Sequence, residues 1–138
     1  MEQNFPSYTE LAVSEILQFE FYAVFLRSDN IIQIQTKDNF DCELQDAKNI
    51  LDCIQKVSKG NKFPLLAIYA NFNTFSKEVN TYIATHTLTK ADALVGFSFA
   101  FILVGNFYLK INKPIRPTKL FNDVESALIW LKNIPNIN

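Results

Sequence analysis

Residues 91–131 read ADALVGFSFAFILVGNFYLKINKPIRPTKLFNDVESALIWL, and their order decides the fold class. Ala91–Gly96 is a short apolar run, the pattern of a strand covered on both faces. After Phe97-Ser98 the chain becomes helical: Ala100, Leu103, Val104, Phe107 and Ile111 recur at helical spacing and are expected to face inward. Lys113-Pro114 stops that helix. Arg116–Phe121 reads as a short strand whose Pro117 lacks an N–H, so it belongs at its first position or at a sheet edge. Asn122 with Glu125 fits a capping box, opening a last helix with Val124, Ala127, Leu128 and Leu131 inward. Ala93–Leu109 is uncharged and reaches the short end of the ~17–25 residues of a membrane helix. Gly96, Ser98, Gly105 and Asn106 interrupt it, and Asp92 and Lys110 flank it. Strand, turn and helix in series describe it better, and no membrane insertion is expected.

Toward the N-terminus the same grammar repeats. Residues 1–13 are polar around Pro6 and form an irregular arm or an extra edge piece. From Glu15 the pattern alternates, with Leu17, Phe19, Phe21, Ala23 and Phe25 on one face and Gln18, Glu20 and Tyr22 on a wetter one. Ser28-Asp29-Asn30 is turn chemistry, and Ile31–Thr36 is the returning strand of an antiparallel hairpin. Asp41 is placed to cap a helix whose Leu44, Ala47, Ile50, Leu51, Ile54 and Val57 make one face, ending at Gly60-Asn61. FPLLAIYA, residues 63–70, is a central strand. Ser76 caps a second helix with Val79, Tyr82, Ile83 and His86 as its inward stripe. The expected order is β-β-α-β-α-β-α-β-α. This is an α/β fold with a mixed, mainly parallel sheet flanked by helices, in which helical crossovers join the parallel strands and the first hairpin supplies the antiparallel part. A single domain over residues 14–134 is expected, with residues 135–138 as a tail.

Composition narrows the function classes. The chain has 138 residues, half of them hydrophobic and thirteen of them Phe, enough for an aromatic core without a staple. Thirteen basic against fourteen acidic residues leave no electrostatic footprint for nucleic acid or an anionic membrane. Cys42 and Cys53, if both on one helix, would lie about 16 Å apart at ~1.5 Å per residue, beyond the ~7 Å reach of a disulfide. Reduced thiols and a cytoplasmic location follow. MEQNFPSYTE carries no basic, apolar leader, so secretion is not expected. Three glycines leave no dinucleotide fingerprint, and there is no phosphate-binding loop motif. His86 is the only histidine and lacks a nucleophile or an orienting acid in any recognisable pattern, so a structural or rim role is expected for it. Asp41, Glu43, Asp46 and Asp52 read as the solvated side of a helix, and no catalytic residue, metal site or cofactor is expected.

The order of elements resembles the STAS-like fold of bacterial anti-sigma-factor antagonists. A closer similarity is to small uncharacterised bacterial proteins described as STAS-like or CRAL-TRIO-related. It is carried by SKEV at Ser76–Val79, ADALVGFS at Ala91–Ser98 and GNFYLKINKPIRPTKLFNDVESALIWL at Gly105–Leu131, and it spans roughly residues 15–133. In phosphorylatable STAS domains an Asp-Ser pair ends a central strand and opens the next helix. The resemblance puts that place at Asn71–Ser76, with Thr74 and Ser76 as the available hydroxyls for a phospho-switch. Asn73 or Phe75 stands where the Asp would be, and a plain N-cap at Ser76 accounts for the same residue.

The third helix is apolar nearly all round, because Phe99, Phe101, Ile102 and Leu109 fall wholly or partly off its expected inward stripe. Such a helix buries both sides or pairs its outer side with another chain, and these four residues are the expected homodimer interface. The function expected from all this is a non-enzymatic regulatory or interaction domain, with itself and a further protein as partners. The alternative is a carrier of a lipid or nucleotide. An enclosed apolar cavity of several hundred Å³ would favour the carrier; a filled core with an exposed hydrophobic helix would favour the interaction domain.

Overall fold

The computed structural model describes residues 11–135. A six-stranded sheet runs through it in the order β1-β2-β3-β5-β7-β8, formed by β1 (Leu17–Gln18), β2 (Tyr22–Leu26), β3 (Ile32–Thr36), β5 (Leu65–Ile68), β7 (Asp92–Val95) and β8 (Thr118–Phe121). The first three strands are antiparallel and the rest are parallel. Two further short strands, β4 (Asp41–Cys42) and β6 (Thr74–Phe75), pair with each other. The helices are α1 (Leu44–Ser58), α2 (Lys77–His86), α3 (Phe99–Asn112) and α4 (Val124–Lys132). The expected succession of a hairpin followed by alternating helices and parallel strands is present.

Strand alternation sorts the core into two layers. Val24, Ile32, Ile34 and Leu65 point to the face carrying α1 and Val79 of α2. Leu66, Ala93 and Val95 point to the opposite face, where Ala127 and Leu131 of α4 meet them. Beside α4, Leu11, Ala12 and Ile16 cover Ala23 and Phe25. The central parallel strands β5 and β7 are therefore covered on both faces, as their near-continuous apolar sequence requires. Ala12 adds a bridge to Arg27. Residues 1–10 of the expected arm and 136–138 of the expected tail lie outside the described residues.

Several local expectations are corrected. The long first strand is broken: Phe19 N–H donates to the Tyr22 carbonyl at 2.8 Å, closing a turn between β1 and β2. The turn resets the alternation, so Leu17 and Phe21 join the α1 side while Ala23 and Phe25 face the other way, and Tyr22 is buried rather than wet. Asp41 does not cap α1. It is taken by the pairing with Thr74, and α1 starts at Glu43, whose N–H is held by the Asp46 carboxylate at 3.0 Å. Cys42 is accordingly in β4 rather than on the helix with Cys53, and both are buried free thiols. The cap of α4 is Asp123, one residue past Asn122, accepting from Ser126 N–H at 2.7 Å. Pro117 behaves as expected: β8 is the edge of the sheet, and the Pro117 carbonyl accepts from Asp92 N–H at 2.8 Å.

The largest correction concerns α3. The stripe expected to face inward is the one that faces out: Leu103, Val104, Phe107 and Ile111 are 50–65% exposed. Phe101, Ile102, Tyr108 and Leu109 are instead partly buried, and Gly105 is buried. The reason is steric. A Cβ at Gly105 would lie 2.7 Å from Leu120 Cδ2, so the bare glycine lets the Leu120 side chain of β8 lie directly on the helix backbone. Phe101 fills the matching space over Gly96, where a Cβ would be 2.2 Å from the ring.

Candidate functional site

Between the helical layer and the parallel strands lies a partly open cavity of about 300 Å³. Ile34, Leu65 and Ala67 give it a floor, Ile50 and Ile54 of α1 one wall, and Phe101 of α3 the other. Its exposed lining residues, Asn71, Phe72, Ala100 and Val104, mark the mouth. The loop bearing Asn71 and Phe72 is tied to the end of β3: Thr36 Oγ1 accepts from Ala70 N–H at 2.9 Å and donates to Asn73 Oδ1, and the Asp38 carboxylate accepts from Asn71 N–H at 2.9 Å. Phe72 has φ +58°, a conformation that is costly for an aromatic residue.

Asp92, Arg116, Tyr69 and Tyr108 are the ionisable part of the lining, beside the hydroxyls and amides of Thr36, Asn73, Asn80, Thr87 and Ser98. Asp92 and Arg116 are 2% and 8% exposed, so their charges must satisfy one another. Arg116 Nε and Nη2 both donate to Asp92 Oδ2, at 2.8 and 2.5 Å, and Thr89 Oγ1 donates to Oδ1. Arg116 Nη1 donates to the carbonyls of Ile83 and Ala84 at 3.0 and 2.9 Å, fastening the end of α2 to β7. The Tyr108 hydroxyl is different: it is buried and makes no hydrogen bond of ordinary geometry among the described residues, with the Arg116 guanidinium as the group that approaches its oxygen. Burial pushes its pKa up to about 12, against the opposing pull of Arg116. Burial also raises the Tyr69 phenol, with neighbouring Tyr108 as a second cause.

The residues singled out in the sequence are scattered over three places. Ser76 is the N-cap of α2, accepting from Val79 N–H at 3.2 Å. Thr74 is not at the helix start but in β6, where its hydroxyl donates to Asp41 Oδ1 at 2.7 Å. A phosphate there would meet a carboxylate. His86 lies outside rather than on the inward stripe: its exposed ring stacks on Tyr82 at 4.2 Å with Nδ1 3.0 Å from the Tyr82 carbonyl. Of the four expected interface residues, Phe99 is 81% exposed, whereas Phe101, Ile102 and Leu109 are partly buried. The exposed apolar face of α3 consists of Phe99, Leu103, Val104, Phe107 and Ile111.

Asp92, Arg116 and Tyr108 were passed over in the sequence. One signal was available. An acid inside the apolar run ADALV requires a buried cation, and Arg116, between Ile115 and Pro117 ahead of the adjacent strand, is the nearest arginine after it. Nothing local marks Tyr108. Among the described residues no three His, Cys, Asp or Glu side chains converge as a metal set, and no helix is long and apolar enough to cross a membrane.

The family model described as a domain of unknown function, DUF7793, matches residues 25–135, most of the chain. The chain belongs to this family. A solved structure shows the fold. The crystal structure of an uncharacterised DUF3478-family protein with a SpoIIAA-like fold, from Shewanella loihica PV-4, is similar at a TM-score of 0.53 and 14% identity. The match covers 95% of this chain and 98% of that one. The DUF7793 chain thus has the SpoIIAA-like, STAS-like fold that the resemblance implied. A protein of unknown function from Arthrobacter sp. FB24 matches 78% of the chain and 90% of its own at 22% identity, with a TM-score of 0.29. No curated protein matches the chain.

Proposed function

We propose that this SpoIIAA-like protein is a non-enzymatic interaction module that pairs with a second copy of itself through the outward face of α3. The observation that carries this reading is the exposure of Phe99, Leu103, Val104, Phe107 and Ile111 on one side of one helix. Phe97 and Ile115, 65% and 66% exposed, extend the apolar surface beyond its two ends. At on the order of 100 Å² per side chain, seven such residues offer about 700 Å², close to the ~800 Å² that each partner buries in a standard interface. A monomer's largest apolar patch is usually ~300–600 Å². A net charge of −1 sets up little repulsion between copies, and pairing one patch with itself about a twofold axis satisfies both.

Light scattering on the full chain at micromolar concentration tests this. The expected result is a dimer that Phe107→Asp converts to a monomer with an unchanged far-UV spectrum. A monomeric wild type, or a dimer that survives Phe107→Asp, would refute the reading. Phe101→Asp is unsuitable because Phe101 packs over Gly96 and against Tyr69, with ring centroids 5.6 Å apart. A second reading, a module that carries a small molecule, is favoured by the apolar cavity beneath α3.

A further inference from the structure

We infer that the cavity beneath α3 is a binding site for a compact, uncharged molecule of about two fused rings that presents one hydrogen-bond acceptor to the Tyr108 hydroxyl. This rests on the second reading above and gives its ligand a chemistry.

Size comes first. An apolar cavity of ~150 Å³ in a protein core stays dry and takes up benzene. The volume here is about 300 Å³, which fits a fused pair of rings and excludes a phospholipid or a whole nucleotide. Walls of Ile34, Ile50, Ile54, Leu65 and Phe101 offer such rings apolar contact, and the open mouth at Asn71, Phe72, Ala100 and Val104 gives them a way in.

Charge comes second. Among the described residues lining the cavity Arg116 is the one cation, and four of its five N–H groups are taken by Asp92, Ile83 and Ala84, with Tyr108 beside it. Asp92 is equally committed, with Arg116 on one oxygen and Thr89 on the other. The pair is neutral as a unit and leaves no counter-charge for a phosphate or an ammonium group. A charged ligand would therefore be desolvated without compensation.

The third observation is the orphan. Buried hydroxyls almost always have a partner, and the buried Oη of Tyr108, a residue of the cavity lining, makes no hydrogen bond of ordinary geometry among the described residues. The Arg116 guanidinium approaches its oxygen closely enough to act on it through charge and through hydrogen bonding. A phenol next to a guanidinium turns its lone pairs toward the cation and its proton away from it. The hydroxyl is left as a donor awaiting an acceptor, such as a carbonyl oxygen or an aromatic ring nitrogen.

Quinoline and naphthalene, matched two-ring probes with and without a ring nitrogen, separate the parts of this inference. Amide chemical shifts of the full chain are followed during titration with each, in the wild type and in Tyr108→Phe. Both probes are expected to shift Ile54, Ala67 and Leu94 rather than only the α3 exterior. Quinoline should bind the wild type about ten-fold more tightly than Tyr108→Phe, with naphthalene affinity unchanged. If neither probe shifts the cavity residues, both the carrier reading and the inference fail. If naphthalene binds but quinoline does not distinguish the two proteins, the cavity binds apolar molecules and the role given to Tyr108 is wrong.

Discussion

Helices α1 and α3 have nearly the same length, 15 and 14 residues, and cover the same face of one sheet, yet they are held there in different ways. In α1, exposed Lys48, Asp52, Gln55 and Lys56 alternate with buried Ala47, Ile50, Cys53, Ile54 and Val57, so contrast along the sequence fixes which side points inward. In α3 only Asn106, Tyr108, Lys110 and Asn112 break an apolar run, and contrast is nearly absent. Shape decides there instead. Gly105 lets the backbone reach Leu120, Phe101 drops over Gly96, and the helix is locked with much of its hydrophobic surface turned outward. Hydrophobicity orients a helix only where polar residues oppose it; a uniformly apolar helix is oriented by where its smallest residue fits.

Matched substitutions put the difference to work. Ile54→Asp, which buries a carboxylate in the core of the α1 side, is expected to cost about 5 kcal/mol or more and to leave little folded protein. Chemical denaturation monitored by circular dichroism would read this. Near it in size is Arg116→Met, which strands the Asp92 carboxylate and releases the end of α2; a loss of about 3–5 kcal/mol is expected in the same assay. A wild-type-like midpoint for Arg116→Met would show that the ion pair is not what fastens this side.

Gly96→Ala probes the steric lock itself. The added Cβ would land 2.2 Å from the Phe101 ring, so α3 must lift or the ring must leave, at about 1–3 kcal/mol. Stability equal to the wild type would mean that α3 does not rest on this contact. The smallest effect is expected for Leu103→Asp, the counterpart of Ile54→Asp on the exposed side of α3. At concentrations where the chain is monomeric it should change stability by no more than about 0.5 kcal/mol, as for other surface sites. A loss comparable with that of Ile54→Asp would place Leu103 in the core and reverse the comparison.

The sequence was legible wherever a segment carries its own contrast. The turn at Ser28-Asp29-Asn30, the face of α1, the cap at Ser76, the edge position of Pro117 and the inward side of α4 all follow from residues a few positions apart. It was misread where distant residues compete for a local one. Asp41 was drawn from capping α1 into pairing with Thr74, thirty-three positions away, and the run through Phe19 and Phe21 hid a turn inside an alternating pattern. The candidate site was hardly legible at all, since its parts come from four strands, three helices and several loops.

The amino-acid sequence by itself determined the succession of a hairpin and alternating helices and strands, the central strands covered on both faces and the family to which the chain belongs, because these depend on hydrophobic periods and turn residues that act over short spans. The tertiary structure alone decided which way α3 faces, that Asp92 meets Arg116 across 24 positions, and that a cavity with Tyr108 in its lining is left beneath the helix. Those outcomes depend on close contacts between segments far apart in the chain, where a missing Cβ or one buried charge outweighs any local pattern.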